Sequence, residues 1–218
     1  MFRPWLKSVP QDVELFAIQF PGRHKRIREP LIRDFGAAIK ALLPVIAPLT
    51  DPGTVYFGDC TGAFFAYELI RALEAARVTG PARLVASCCR APDLPPRHPL
   101  LHRLDDGGLI EQIRALSFAP QWLLNDVPLL KSFLPVLRCD FELVEPYRHS
   151  ADPPLRVPIT VIAGAHDKIT PVSDAAAWKA HTRDVFEFVT MEGSHNLAQT
   201  HPDEVMALAL ARDEDPPC

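Results

Sequence analysis

The sequence places one cysteine where it could act as a nucleophile. Cys60 is the centre of Gly58-Asp59-Cys60-Thr61-Gly62, a glycine–x–nucleophile–x–glycine pattern with cysteine where serine is usual. In this pattern a strand turns into a helix within one residue, so the central side chain takes a strained backbone conformation and the glycines avoid steric clashes. The amides and positive dipole end of the helix would stabilise a thiolate or an oxyanion. The motif predicts nucleophilic catalysis, although two glycines around a buried cysteine are also typical of a tight turn.

An acid and a base follow the cysteine in the order that this chemistry needs. Asp167 lies in the loop after a predicted strand at residues 157–163, and His195 lies in the loop after another at residues 185–189. Nucleophile, acid and histidine is the chain order of the α/β-hydrolase triad, in which each member comes from the same edge of one sheet. We expect His195 to deprotonate the Cys60 thiol and later to protonate the leaving thiol. Asp167 would fix the imidazole tautomer and support its positive charge.

Two other residues are alternatives for these roles. His166 neighbours Asp167 and is a second candidate for the base, although its place on the same loop favours a side chain that points away. Asp93 follows the preceding predicted strand, where some hydrolases of this fold carry the acid. The five cysteines are odd in number and unevenly spaced, which favours free thiols, and no group of histidine, cysteine and aspartate has the spacing of metal ligands. We therefore predict no metal site.

The elements that must position these residues alternate along the chain. Apolar runs predict strands at residues 13–20, 54–58, 82–89, 157–163 and 185–189. Helical periodicity predicts helices at residues 33–49, 61–77, 173–181 and 203–212. Strands that alternate with helices indicate a mainly parallel sheet with helices on both faces. The predicted fold class is doubly wound α/β.

A helical insertion interrupts this alternation between the third and fourth predicted parallel-sheet strands. Residues 100–147 are almost all helical in pattern, with Asp105 as a candidate cap and one apolar face formed by Leu109, Ile110, Ile113 and Leu116. Such folds bind ligands at the carboxyl edge of the sheet, so we expect the insertion to form a lid over that edge. Extra packing helices are the alternative. In either case residues 1–218 would form one domain.

Composition excludes several classes of protein. The chain has 218 residues, of which 48% are hydrophobic and 23% charged. This composition is sufficient for a sizeable core and argues against intrinsic disorder. A net charge of −4 gives no basic field for nucleic acid. No apolar run reaches the roughly 18 residues of a membrane span, and the N-terminus lacks the pattern of a secretory signal. A cytoplasmic location is therefore expected.

Taken together, these motifs resemble the type II thioesterases that accompany polyketide and nonribosomal peptide synthetases. The matching segments cover nearly the whole chain, and the most specific is Gln-Phe-Pro-Gly-Arg at residues 19–23; the others are residues 2–5, 58–62, 87–92, 133–140 with Tyr147, and 193–195. The resemblance implies an α/β-hydrolase fold with a helical lid. It also implies a thioesterase that needs no cofactor of its own, because its acyl substrate is carried as a phosphopantetheine thioester on a partner, an acyl or peptidyl carrier protein. Phe118, Trp122 and Phe133 in the lid would shape the acyl pocket.

The motif around the nucleophile departs from this family. The family usually has serine flanked by histidine and methionine, whereas Asp59, Cys60 and Thr61 stand here. An acyl-Cys60 is itself a thioester, nearly equal in energy to its donor, so transfer to a second thiol becomes reversible. Three functions stay open: hydrolysis, which we rank first, transfer of acyl or aminoacyl groups between carriers, and an inactive relative that only binds carriers. A carboxylate at Asp59 would raise the pKa of the thiol unless its side chain points elsewhere.

The beginning of the chain also differs from the family pattern. In the family an apolar strand and a glycine-rich turn precede the segment that matches residues 2–5, and the turn supplies one of two oxyanion amides. The resemblance thus implies that a central strand and one donor are missing from this sequence, and that the Thr61 amide remains as the other donor. Either the natural protein starts further upstream, or the fold compensates, or activity is impaired.

Overall fold

Strands and helices alternate in the computed structural model, which describes residues 2, 4–116, 121–150 and 153–211. The strands are β1 (Val55–Asp59), β2 (Arg83–Ser87), β3 (Ile159–Gly164) and β4 (Phe186–Met191). The α-helices are α1 (Phe35–Ile46), α2 (Gly62–Ala75), α3 (Asp106–Ala115), α4 (Gln121–Asn125), α5 (Val127–Val144), α6 (Val172–Ala176), α7 (Leu197–Thr200) and α8 (Pro202–Leu210). Short 3-10 helices lie at Pro4–Lys7, His24–Arg26, Ala47–Leu49, Leu101–Arg103 and Ala177–His181.

The four strands form one parallel sheet in the order β1-β2-β3-β4. Its register pairs Asp59 with Ser87, Ser87 with Ile162, and Ile162 with Val189. Every residue of β2 and β3 is buried, as is typical of parallel strands covered on both faces. The predicted α/β class and its parallel sheet are confirmed, and four of the five predicted strands form.

The exception is the first predicted strand, at residues 13–20, which forms no strand. Its apolar residues do not share one environment, since Leu15 packs against the core beside the sheet and Phe16 is 61% exposed. A strand needs a neighbour for its backbone hydrogen bonds, and within the described residues no strand pairs with this segment. The apolar pattern predicted a buried strand, and this prediction was wrong, since only Leu15 of the segment packs against that core.

Helices cover both faces of the sheet. On one face Phe57, Val85 and Ile162 pack with residues of α7 and α8 and with Trp5, whose indole N–H donates to the Ala198 carbonyl at 2.8 Å. On the other face α2 lies very close to the end of β1. Side chains alternate between the two faces along a strand, so Asp59 lies on the same face as Phe57, and Ser87 on the same face as Val85. Both are therefore on the α7–α8 face.

The chain divides into two compact units. The sheet unit comprises Met1–Ala17, Leu42–Leu94 and Ser150–Cys218, and it holds all four strands. The helical unit comprises Ile18–Ala41 and Pro95–His149. The predicted insertion at residues 100–147 lies within the second segment of the helical unit. The sequence analysis did not assign the first segment, Ile18–Ala41, to this unit.

The helical unit has a core of its own. Its buried side chains come from the Leu101–Arg103 turn and from α3, α4 and α5: Leu101, Leu109, Ile110, Ile113, Leu123, Leu124, Leu130, Leu134 and Phe141. The predicted cap is confirmed, because the Asp105 carboxylate accepts the Gly108 amide at 2.8 Å. Arg23 pairs with Asp140 at 2.8 Å and so joins the two segments of the unit. Among the described helices, none is both long and apolar enough to cross a bilayer.

Candidate active site

The turn from β1 into α2 holds Cys60 in a strained conformation. Its φ of +51° is in the left-handed region, which costs a residue with a side chain about 1–3 kcal/mol. Its amide donates to the Ser87 carbonyl at 2.8 Å, which fixes the turn to the neighbouring strand. The predicted strained turn is confirmed, and the Cys60 side chain stays partly exposed while the other described cysteines are buried.

The two glycines of the motif play different parts. A Cβ on Gly58 would lie 2.4 Å from the Ala63 Cα, so only glycine lets α2 approach the end of β1 so closely. A Cβ on Gly62 would meet nothing within 4 Å, and the φ of Gly62 is not positive. The expectation that both glycines avoid clashes is therefore correct for Gly58 and wrong for Gly62, since α2 begins there with open space beside it.

The amide of Thr61 stands at the N-terminal end of α2, where the helix leaves its first N–H groups without intrahelical partners. Within the described residues this amide donates to no protein acceptor. It is one residue beyond Cys60, so it can donate to an atom bound at the sulfur. That is the geometry expected of an oxyanion donor.

Asp167 and His195 meet at the same edge of the sheet. The Nδ1 of His195 lies 2.9 Å from the Asp167 Oδ2, and the Asp167 side chain is completely buried. The other carboxylate oxygen accepts the amides of Ile169 at 2.8 Å and Thr170 at 2.9 Å. These bonds leave the carboxylate one orientation, so the ring of His195 is held by a fixed acceptor.

His195 is also close to the nucleophile. Its Nδ1 faces Asp167, and the Cys60 sulfur is near enough to act electrostatically on the ring. Burial lowers the pKa of His195, but the Cys60 sulfur and the Asp167 carboxylate outweigh it and raise the pKa to about 10. The surroundings of the imidazole therefore favour its positively charged form.

The two alternative residues have other partners. His166 is exposed and lies 3.1 Å from the Glu192 carboxylate, so its side chain does point away. Asp93 lies 2.8 Å from the Nε2 of His181, a buried histidine packed against Trp178. The structure thus pairs His195 with Asp167, with Cys60 near enough to influence the ring, and it places Asp93 and His166 in separate pairs.

A second cysteine beside the site escaped the sequence analysis. Cys88 directly follows β2 and has a φ of +48°, and its sulfur lies within 4.8 Å of ligand atoms of both Asp167 and His195. Of the described residues, these three form the group that could hold a metal ion, and their types are those of zinc ligands. Burial, Asp59 and Asp167 raise the pKa of Cys88 to about 12, so its thiol is neutral. The predicted strand at residues 82–89 includes Cys88, whereas β2 ends at Ser87, so its place in the loop could not be read from that pattern.

Asp59 is hydrogen-bonded to the neighbouring strand β2. Its Oδ1 accepts the Ser87 hydroxyl at 2.8 Å, and the residue is only 8% exposed. Burial raises the pKa of Asp59 to about 6, although the Ser87 hydrogen bond and the charge of His195 lower it. Asp59 therefore interacts electrostatically with His195 and Asp167.

Two of the three expected pocket residues can be placed. Trp122 is 63% exposed and Phe133 is 42% exposed. Both lie in the helical unit, and Phe118 lies outside the described residues.

Comparisons with known proteins agree on one family. The family model described as Thioesterase domain matches residues 1–211. The AMB antimetabolite synthetase AmbE of Pseudomonas aeruginosa is 34% identical over 97% of this chain, which spans 10% of that protein. Thioesterase PikA5 of Streptomyces venezuelae is 34% identical over 84% of this chain and 66% of its own length. RedJ, a thioesterase from the prodiginine biosynthetic pathway in Streptomyces coelicolor, superposes with a TM-score of 0.86 at 30% identity, covering 95% of this chain and 78% of that one.

The structural similarity to RedJ extends over nearly the whole chain, so the predicted α/β-hydrolase fold is confirmed. The resemblance to thioesterases that the motifs indicate is confirmed as well, because the family model reaches from the first residue to the end of α8. By sequence and by fold, the chain belongs to the thioesterase domain family.

Proposed function

We propose that the chain is a type II thioesterase of a polyketide or nonribosomal peptide pathway, acting through an acyl-Cys60 intermediate. Its substrate would be an acyl group carried as a phosphopantetheine thioester on an acyl or peptidyl carrier protein. The observation that carries the proposal is the hydrogen bond between His195 and the buried Asp167, at a ring on which the sulfur of Cys60, held in a strained turn, acts electrostatically. A solved structure that is 27% identical to this chain and titled a type II thioesterase from an NRPS/PKS biosynthetic pathway supports the substrate class.

In the first half of the reaction His195 takes the proton of the Cys60 thiol. The thiolate attacks the thioester carbonyl, and the Thr61 amide donates to the oxyanion that forms. When the tetrahedral intermediate collapses, the carbon–sulfur bond to phosphopantetheine breaks and His195 returns the proton to the leaving thiol. The acyl group is then bound to Cys60.

In the second half a water molecule replaces the leaving thiol. His195 takes a proton from this water, the hydroxide attacks the acyl-Cys60 carbonyl, and the bond to sulfur breaks. The products are the free acid and the Cys60 thiol. The cycle uses only side chains and amides of this chain and no cofactor of its own, and the ring of His195 stays in place because Asp167 is fixed by Ile169 and Thr170.

We propose the helical unit as the lid that selects the acyl group. This proposal is supported by the separate buried core of the helical unit, which stabilises the unit independently of the sheet. The exposed Trp122 and Phe133 are then side chains that an acyl chain can contact.

The test is to incubate the protein with an acyl-loaded carrier and to follow both proteins by intact mass. Hydrolysis predicts free acid, regenerated carrier and a transient adduct on Cys60. Cys60→Ala should lose the adduct and reduce turnover to background, while Cys139→Ala, which removes a buried thiol of the helical unit, should leave turnover unchanged. Undiminished turnover in Cys60→Ala would refute the proposal.

Carrier-to-carrier transfer is the second candidate, and the identity of residue 60 favours it. A cysteine thioester is close in energy to the phosphopantetheine thioester, so a second carrier thiol can receive the group. Addition of an unloaded second carrier distinguishes the two functions, because transfer predicts a lasting adduct and a mass gain on that carrier. Cys60→Ser should then lose transfer and hydrolyse faster. Binding to the carrier without adduct or turnover would identify an inactive relative.

A further inference from the structure

Cys88 has a backbone conformation that a cysteine adopts only with strain. It is completely buried, it directly follows β2, and its φ of +48° lies in the region that favours glycine. Its amide donates to the Ile162 carbonyl at 2.8 Å, and its carbonyl accepts the Thr170 hydroxyl at 3.2 Å. Strain of this kind is typical of functional positions, yet the proposed reaction does not use the Cys88 sulfur.

Two groups at the ends of the next two strands face this sulfur. Asp167 follows β3 and His195 follows β4, and a carboxylate oxygen of Asp167 and a ring nitrogen of His195 lie within 4.8 Å of the Cys88 sulfur and of each other. All three side chains are buried. The group is formed by the order of β2, β3 and β4 in the sheet, so the spacing of its members along the chain gives no sign of it.

The three groups have the chemistry of zinc ligands. Zn²⁺ binds thiolate sulfur at about 2.3 Å and imidazole nitrogen or carboxylate oxygen at about 2.0–2.2 Å, so ligand atoms in a tetrahedral site are about 3.2–3.7 Å apart. Atoms that lie within 4.8 Å of one another reach these separations by movements of about 1 Å. A thiolate and a carboxylate together neutralise the dication, which matters because an uncompensated charge is costly in a buried site.

The surroundings of Asp167 and Cys88 hold both in place for such a role. One oxygen of Asp167 accepts the amides of Ile169 and Thr170, so the direction of the other oxygen is fixed. The Thr170 hydroxyl binds the carbonyl of Cys88, so the same residue supports two members of the group. Hydrogen bonds of this kind orient the ligands of metal sites.

We propose that Cys88, Asp167 and His195 form a binding site for Zn²⁺, and that the bound metal reversibly inhibits the enzyme. Zn²⁺ displaces the proton of the Cys88 thiol to the solvent and binds the imidazole in its neutral form, with no change of oxidation state. A water molecule completes the four ligands. Binding of the metal is independent of the proposed reaction. The inhibition rests on it, because a ring bound to zinc cannot take the proton of Cys60.

The experiment titrates the metal-free protein with Co²⁺, which takes the same ligands as Zn²⁺ and is coloured. We expect a thiolate-to-cobalt charge-transfer band in the near ultraviolet that saturates at one metal per chain. Added Zn²⁺ should remove the band by displacing the cobalt. Absence of the band in the parent protein would refute the proposal, whatever the turnover.

Cysteine variants identify the sulfur that binds the metal. Cys88→Ala should lose the band and bind Co²⁺ more than about tenfold more weakly, since loss of even a group that only supports a ligand costs about 10–100-fold. Cys89→Ala removes a neighbouring buried thiol outside the group and should keep the band, as should Cys60→Ala. A band that survives in Cys88→Ala, or disappears in Cys60→Ala, would overturn the assignment. Cys88→Gly suits the positive φ and tests the same ligand if Cys88→Ala fails to fold.

Turnover of an acyl-loaded carrier is measured separately. Zn²⁺ should inhibit the parent, a chelator should restore its activity, and Cys88→Ala should need more than about tenfold more Zn²⁺ for the same inhibition. Equal sensitivity of the two proteins to zinc would refute the inhibition through Cys88. If the band depends on Cys88 but the metal-free protein has no turnover, the proposed thioesterase is refuted and the metal site stands.

Discussion

At the scale of single residues, the site depends on how Asp167 is held. Its two oxygens are fully used by two backbone amides and the His195 ring, so it acts as a rigid acceptor. The charge of His195 is stabilised by this carboxylate and by the Cys60 sulfur. Removing the charge of Asp167 without changing its size should therefore affect chemistry more than folding.

We predict that Asp167→Asn lowers the rate of acyl transfer to Cys60 by up to about 10⁴, as loss of a triad carboxylate does when the imidazole takes the wrong tautomer. The pKa of His195 should fall, because the variant loses a charge and a hydrogen bond that raise it. Single-turnover kinetics and an NMR titration of the imidazole are the measurements. Asp93→Asn is the matched control, and equal loss in both variants would count against a special role for Asp167.

At the scale of elements, the junction of β1 with α2 is set by one glycine and not by the other. Gly58 faces the backbone of Ala63, and Gly62 faces open space. The same substitution at the two positions should therefore have opposite consequences, although both glycines belong to one motif.

We predict that Gly58→Ala destabilises the fold by about 1–3 kcal/mol or more, because the new methyl group overlaps backbone that cannot move without shifting α2. Gly62→Ala should leave the free energy of unfolding unchanged or raise it by up to about 1 kcal/mol, since alanine favours the helix. Urea unfolding of both variants measures the difference. Similar losses in the free energy of unfolding at the two positions would mean that the close approach of α2 to Gly58 does not determine the effect of the substitution.

Sequence patterns were sufficient to predict the elements whose signals are local in the chain. The apolar runs that became β1 to β4 are bounded by turns, and the loop after each strand carries a residue of the site, so Cys60, Asp167 and His195 could be assigned to one edge. Strand formation at residues 13–20 could not be judged, because pairing depends on a distant neighbour. The position of Cys88 near His195 and the Asp59–Ser87 pair were missed, because both depend on how the strands are aligned, which the sequence does not reveal.

At the scale of the whole molecule, the raised pKa of His195 links the site to stability. The pKa is about 10 in the folded state against an ordinary value of 6.5. A group with a raised folded-state pKa stabilises the fold fully below its unfolded value and loses this contribution as the pH rises through the folded value. The pKa of Asp59 is likewise raised, from 3.8 to about 6, so its contribution to stability is also lost as the pH rises between these values.

We predict that the melting temperature of the protein falls as the pH rises from about 6.5 to about 10, and that His195→Gln flattens this dependence. Differential scanning calorimetry over this range is the measurement. His166→Gln replaces an exposed histidine of the same unit and should keep the parent slope. A slope that survives in His195→Gln would assign the pH dependence to other groups.

The division of the sheet unit among three stretches of chain has a consequence for biosynthesis. Cys60 belongs to the second stretch, whereas Asp167 and His195 belong to the third. Translation runs from the N-terminus, so the thiol leaves the ribosome roughly a hundred residues before the groups that would activate it. The nascent protein therefore carries Cys60 without these groups, and under the proposed function the complete site forms only after the last strand has docked.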